Sequence, residues 1–232
     1  MLYARNGDRH SLRVTGYGLR DVADIAKGDM VLTHDEGPQP VLITTRTHLS
    51  RQELTQTPHL RPILPKAGSL GPNLPDRDLL VSPQHRMLLS GWRAQLLFSA
   101  DQLLAPAKGL LNDSTILSQT AKQGVTYIHL AFARHQIITA NGAPTESLHT
   151  GDVSKENMHP AAREELFALF PDLRTQPDNR SDTARTCLTF LKHVYWCLLC
   201  QISLRHSLFW KPYSNSRQFT QLRCPLRGRL HR

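Results

Sequence analysis

Cysteine is missing from residues 1–186; all four, Cys187, Cys197, Cys200 and Cys224, fall in the last fifth of the chain. No disulfide framework can therefore support the body, and no cysteine there can serve as nucleophile or metal ligand. Acidic residues are missing from the other end. None follows Asp182, whereas nine of the 28 Lys and Arg do, leaving 19 basic against 19 acidic residues over 1–182. The body is neutral, and the whole formal +9 belongs to the last fifty residues. A basic chain would ordinarily point to nucleic acid or an acidic membrane; here that signal is confined to the tail. Long apolar runs are scarce as well. Nothing in residues 1–186 could span a bilayer, and the start, MLYARNGDRHSLRV, has no apolar stretch of a signal peptide. Cytoplasmic is the default location on these grounds, and the reading is of a monomer.

What is present is a chain with room for one ordinary domain and an appendage. Many short β-forming runs are separated by glycine and proline, with little helical periodicity, which argues for an all-β body. Val22, Ile25, Met30, Val31 and Leu32 are the first expected core positions, with a turn at Lys27-Gly28-Asp29. Gly37-Pro38-Gln39-Pro40 is expected to break the chain before a strand at Val41-Leu42-Ile43. The polar, proline-rich residues 46–75 read as a connecting excursion with a short strand at Ile63-Leu64. Leu79-Leu80-Val81 and Met87-Leu88-Leu89 are expected strands on either side of a Ser82-Pro83 corner. Ala94–Phe98 is expected to pair back as a hairpin. Leu103–Lys108 is a short strand or turn leading to a helical turn near Gly109–Leu111, and Val125–Phe132 and His135–Ala140 are further strands, ended by Asn141-Gly142. A helix is expected over Ala161–Phe170, with Pro160 at its start and Pro171 at its end.

The corner at Ser82 carries the sharpest signal. Pro83 presets φ and biases Ser82 towards an extended conformation, so Ser82 and His85 are held relative to one another at a strand end. A rigid turn of this kind can present a side chain to a site. On spacing alone, a hairpin with a polar filler histidine is the commoner outcome.

After Thr183 the character changes. Thr186–Leu204 is apolar and aromatic but contains Lys192 and His193, a poor membrane span. Cys197-Leu198-Leu199-Cys200 has metal-ligand spacing without a second pair, so no structural metal site is expected. Residues 211–232 have the composition of a disordered segment. The lack of any acidic residue over fifty positions suggests that 183–232 is a non-native reading frame; a basic tail binding nucleic acid or membrane is the functional alternative.

Four blocks, VADIAKGDMVLTHDEGPQPV (Val22–Val41), RDLLVSPQHRMLLSG (Arg77–Gly91), LLAPAKGLLN (Leu103–Asn112) and YIHLAFARHQIITANGAPTES (Tyr127–Ser147), resemble in order and spacing a Hint domain, the Hedgehog/intein self-processing module, most of all its bacterial branch. The resemblance covers roughly residues 10–150 and implies a mostly β, horseshoe-shaped fold there, to which the sequence adds a C-terminal helix and an irregular basic tail. Its divisions are an N-terminally incomplete Hint domain over 1–150, a helical extension over 151–182 and the tail over 183–232. It also implies autoprocessing by an N-to-S or N-to-O acyl shift, in which the module's first residue attacks the preceding peptide carbonyl. The partner is then a flanking polypeptide in cis, and neither a small-molecule cofactor nor a metal is involved. His85 matches the histidine that engages the scissile amide, Ser82 the hydroxyl residue that helps to position it, and His135 the histidine of the penultimate block. Both histidines are expected to line one shallow pocket, with the segment around Arg5–His10 at its mouth and the His85 pKa near its ordinary value.

The chain departs from that pattern in three ways. Asn6 stands where the nucleophilic cysteine should fall, only about five residues precede it, and Glu146 replaces the terminal asparagine that splicing requires. The expectation is a degenerate self-processing domain, inactive in this form. A metal-dependent hydrolase using the twelve histidines finds little support, since most of them fall in loops without ligand spacing. An adaptor acting through the basic tail remains as the non-catalytic reading.

Overall fold

The computed structural model describes residues 2–4, 11–14, 18–149 and 183–188. Its strands are β1 (Leu2–Ala4), β2 (Ser11–Val14), β3 (Gly18–Asp21), β4 (Met30–Thr33), β5 (Gly37–Pro40), β6 (Ile43–Leu49), β7 (Ile63–Pro65), β8 (Arg86–Ser90), β9 (Gln102–Pro106), β10 (Ile116–Ser118), β11 (Val125–Ala131), β12 (Ile137–Ala140) and β13 (Ala143–Glu146). Two short helices, α1 (Arg51–Gln56) and α2 (Trp92–Phe98), complete the regular structure with three 3-10 turns. An eight-stranded sheet runs β3-β2-β4-β12-β13-β8-β9 with β5 on β4; β1-β11-β6 and β10-β7 form smaller sheets. The mostly β expectation holds. Among the described residues no helix is long and apolar enough to cross a membrane.

Burial follows strand alternation. Val31, Met87, Leu89, Leu103, Ala105 and Ile138 point into one core with Val22, Ile25, Leu79 and Val81. Of the first expected core positions, Val22, Ile25 and Val31 are buried, but Leu32 is half-buried and Met30 exposed, the alternation of β4 turning them away. The extended segment before the Ser82 corner alternates in the same way. Leu79 and Val81 are fully buried and Leu80 half-buried. Leu79 donates to Pro65 O, and Val81 exchanges N–H···O bonds with Ile63, so the segment forms a bridge rather than a ladder.

Several local expectations are corrected. Gly37–Pro40 forms β5 at the edge of β4, where Pro38 and Pro40 need not donate to a ladder. β6 extends through the region read as polar excursion, pairing with β11 from Ile43↔Ala131 to Leu49↔Val125. The following α1 opens on a capping box between Ser50 and Glu53. Residues 92–98 are helical, not a hairpin strand; Gly91 at φ 102° and Ser99 in the left-handed region bound the helix. Asn141 (φ 45°) and Gly142 (φ 75°) form the hairpin turn from β12 into β13, a strand missed in the sequence.

Gly124 shows why β11 can return beside β6. Its φ is +84°, and a Cβ there would lie 2.6 Å from the Leu49 carbonyl oxygen. Only glycine admits that approach without displacing backbone.

Residues 183–188, counted with the tail in the sequence, pack on the sheet. Cys187 bridges Leu104 in parallel register; Leu104 N–H donates to Thr186 O and Leu188 N–H to Leu104 O. Leu188 is buried in the main core. The expected helix over Ala161–Phe170 and the remaining tail lie outside the described residues.

Candidate functional site

The Ser82-Pro83-Gln84-His85 corner is fixed by three backbone hydrogen bonds. His85 N–H donates to Ser82 O (3.0 Å), Ala107 N–H to His85 O (2.8 Å) and Lys108 N–H to Pro83 O (2.9 Å). The turn after β9 thus clamps the corner before β8. Ser82 and His85 are both buried and joined through the Ser82 carbonyl.

His85 Nε2 is hydrogen-bonded to Thr145 Oγ1. Thr145 is fully buried, opposite Met87 in the β13–β8 pairing, and its hydroxyl also lies 3.1 Å from Arg86 O. Burial holds the His85 pKa well below the ordinary imidazole value, and positive charge nearby, including the Arg86 guanidinium, acts in the same direction. The unperturbed histidine expected from the sequence is replaced by one kept neutral at physiological pH.

The next residue of β13, Glu146, serves the other side of the strand. Its carboxylate accepts from Arg86 N–H (2.8 Å) and from the Arg86 guanidinium (2.9 Å). His135 Nε2 lies 3.5 Å from the same carboxylate, and the ring is packed edge-on against His149 at 5.0 Å. His135 Nδ1 accepts from Ala184 N–H at 3.1 Å. Ser147 Oγ accepts from Gln136 N–H, which ties the end of β13 to the start of β12.

The sheet thus gathers His85, Ser82 and His135 at one end of the β12-β13-β8 strip. The two histidines take different partners on β13. Their partners, Thr145 and Glu146, are consecutive in β13 and project to opposite faces, so the histidines flank the strand. Arg86, Thr145 and Glu146 were not singled out as contributors to the site in the sequence. The signal that could have found them is Asn-Gly, which predicts a hairpin and so places 143–146 beside β12. Asn6 and the Arg5–His10 segment lie outside the described residues. Among the described residues no group of three His, Cys, Asp or Glu side chains is arranged to hold a metal ion.

The family model described as a Hint domain matches residues 9–152. Among solved structures the chain is similar to the MchDnaB-1 intein, at 14% identity and TM-score 0.35, covering 59% of this chain and 95% of that one. The gp41-1 intein is similar at 13% identity and TM-score 0.35, over 59% and 93% of the two chains. The Msm DnaB1 intein splicing domain bound with zinc is similar at 15% identity and TM-score 0.35, over 62% and 98%. No curated protein matches.

Proposed function

The chain belongs to the Hint domain family, and from that premise we propose that it carries the frame of a self-processing module that cannot start its own acyl shift. Asn6 stands where the attacking side chain is required, and an amide nitrogen does not perform that attack. The observation that carries the reading is the buried, neutral His85 held on Thr145 at the strand end.

Held neutral, His85 is fitted to take a proton from an attacking thiol or hydroxyl rather than to enter as an imidazolium acid. In the shift, the new S–C or O–C bond forms at the preceding carbonyl. The C–N bond breaks, and His85 returns the proton to the departing nitrogen. The fixed Ser82 corner keeps the imidazole in place, and His135 with Glu146 occupies the far side of β13. Glu146 cannot cyclise as a terminal asparagine does, so splicing is not part of the reading.

The test is a protein with a reporter fused upstream of residue 1 and Asn6→Cys within it. Cleavage of the peptide bond just before position 6, which releases the reporter with residues 1–5, accelerated by added thiol and lost when His85→Ala is introduced, is the expected result. A folded protein that does not cleave with cysteine at position 6 or its neighbours would overturn the proposal that a working apparatus survives. Cleavage indifferent to His85 would remove its assigned role. Salt-dependent binding to nucleic acid or anionic vesicles, lost on deleting the basic tail, would instead favour a binding module.

A further inference from the structure

His135 is approached from both ends of its imidazole. On one side the Ala184 backbone N–H points at Nδ1 from 3.1 Å; on the other the Glu146 carboxylate lies 3.5 Å from Nε2. A backbone N–H can only donate, so Nδ1 must offer its lone pair, and the neutral ring must carry its proton on Nε2, towards Glu146. In the other tautomer two N–H groups would meet head to head while Nε2 presented a lone pair to a carboxylate. The Ala184 hydrogen bond therefore selects this form; Nε2 makes no hydrogen bond to Glu146, whose nearby negative charge only favours the same form.

The segment that supplies the N–H is anchored just after Ala184. Arg185 makes a two-pronged pair with Asp35, at 2.7 and 3.1 Å, and its Nε donates to Gln102 Oε1 at 2.6 Å. Two residues further on, Leu104 N–H donates to Thr186 O, and Leu188 N–H donates back to Leu104 O. Ala184 and Cys187 pack on Leu88, Leu104 and Ile137, on the sheet face that also carries Arg86 and Glu146. The segment lies more than thirty residues beyond the end of the family match at 152, yet it reaches His135.

We propose that residues 183–188 are a strap belonging to the site: the strap docks along β9, and Ala184 is a positioning residue that fixes His135 in its Nε2–H tautomer. The functional unit of this chain then runs to 188 rather than ending with the Hint match. This goes beyond the acyl-shift reading and does not rest on it, because a tautomer is observed whether or not the chain can process itself.

The experiment is nitrogen NMR of the His135 imidazole in the full chain, at a pH where the ring is neutral. The expected spectrum has Nδ1 at the position of an unprotonated nitrogen and Nε2 at that of a protonated one, with the Nε2–H form favoured at least about fivefold, a ratio one hydrogen bond can sustain. Ala184→Pro deletes the donor and should lower that ratio, the Glu146 charge alone remaining to favour the Nε2–H form. Ala184→Gly keeps the N–H and should restore the wild-type ratio. Arg185→Ala, a substitution at a partly exposed position that leaves the core intact, should loosen the strap and move the ratio in the same direction as Ala184→Pro. A wild-type spectrum dominated by the Nδ1–H form, or averaged between the two, would overturn the proposal. So would a wild-type ratio that persists in both Ala184→Pro and Arg185→Ala. If Ala184→Pro does not fold, the wild-type and Arg185→Ala spectra decide the matter.

Discussion

Arg86 meets Glu146 twice: its backbone N–H donates to one carboxylate oxygen at 2.8 Å and its guanidinium to the other at 2.9 Å. The two residues are 60 positions apart and come together because β13 pairs with β8 through Thr145↔Met87. Both side chains are largely withdrawn from water, at 16% and 6% exposure. Removing the carboxylate takes a charged partner and a backbone acceptor away from largely buried groups, which outweighs the modest net value of the pair itself. Glu146→Ala should therefore cost about 3–5 kcal/mol in urea unfolding. Glu146→Gln, which keeps an acceptor for the Arg86 N–H, should cost clearly less. Equal losses in the two variants would show that the carboxylate charge contributes nothing.

His85 gives the chain a stability that depends on pH. Its folded pKa is lowered, mainly by burial, so below the unfolded value of about 6.5 the unfolded chain binds a proton that the folded one refuses. The contribution is complete above about pH 6.5 and is lost as the pH falls towards the folded pKa, at up to about 1.4 kcal/mol per pH unit for one proton. Unfolding free energies measured from pH 8 to 5 should show this slope, and His85→Gln should flatten it. A slope unchanged in that variant would assign the effect to another group.

The Ser82 corner and the strand β8 after it were legible in the sequence because their determinants are local, a proline-fixed turn followed by a short apolar run; the hairpin partner of β8 was not, since β9 and not Ala94–Phe98 pairs with it. The register before the corner was not, because Leu79, Leu80 and Val81 are equally apolar, and only the bridge to Ile63 decides which of them face the core. Leu79→Ala should cost about 2–5 kcal/mol, whereas Leu80→Ala, at a half-buried position against Leu54 and Tyr127, should cost about 1–2 kcal/mol. Denaturation midpoints of the two variants check the order, and the reverse order would place Leu80 in the core after all.

The helix α2 was read as a strand because Gln95-Leu96-Leu97-Phe98 is a short apolar run, and periodicity alone cannot separate helix from strand over four residues. Its boundaries are set by backbone geometry at Gly91 and Ser99, which composition does not reveal. The site suffered from the same limit. His85 and His135 could be paired only through a family pattern, and their partners Thr145, Glu146 and Arg86 depend on strand pairings between distant segments. The strap was missed for a different reason: a composition without acidic residues described the tail as a whole and concealed that its first six residues fit the sheet.

Gly124 offers a test of the close approach between β11 and β6. Gly124→Ala places a methyl group against the Leu49 carbonyl and forces an L residue to positive φ. The backbone conformation alone costs about 1–2 kcal/mol, and the clash adds to it, so a loss above about 2 kcal/mol is expected on thermal or urea unfolding. A neutral substitution would mean that the turn before β11 relaxes freely.

The strap also changes where the chain can be shortened. Read from composition, the body ends near Arg180, and everything after it is dispensable. The packing says otherwise, because residues 183–188 bury Leu188 in the main core, fill the β9 edge with two backbone hydrogen bonds and pair Arg185 with Asp35. Burying one leucine is worth about 1.5–3 kcal/mol, and the uncovered edge would leave Leu104 N–H and C=O without their strand partners. A chain ending at 182 should therefore be less stable than one ending at 188 by at least about 2 kcal/mol, and Leu188→Asp in the full chain should reproduce most of that difference. Two truncations of equal stability, with Leu188→Asp silent, would return these six residues to the tail and withdraw the strap from the fold.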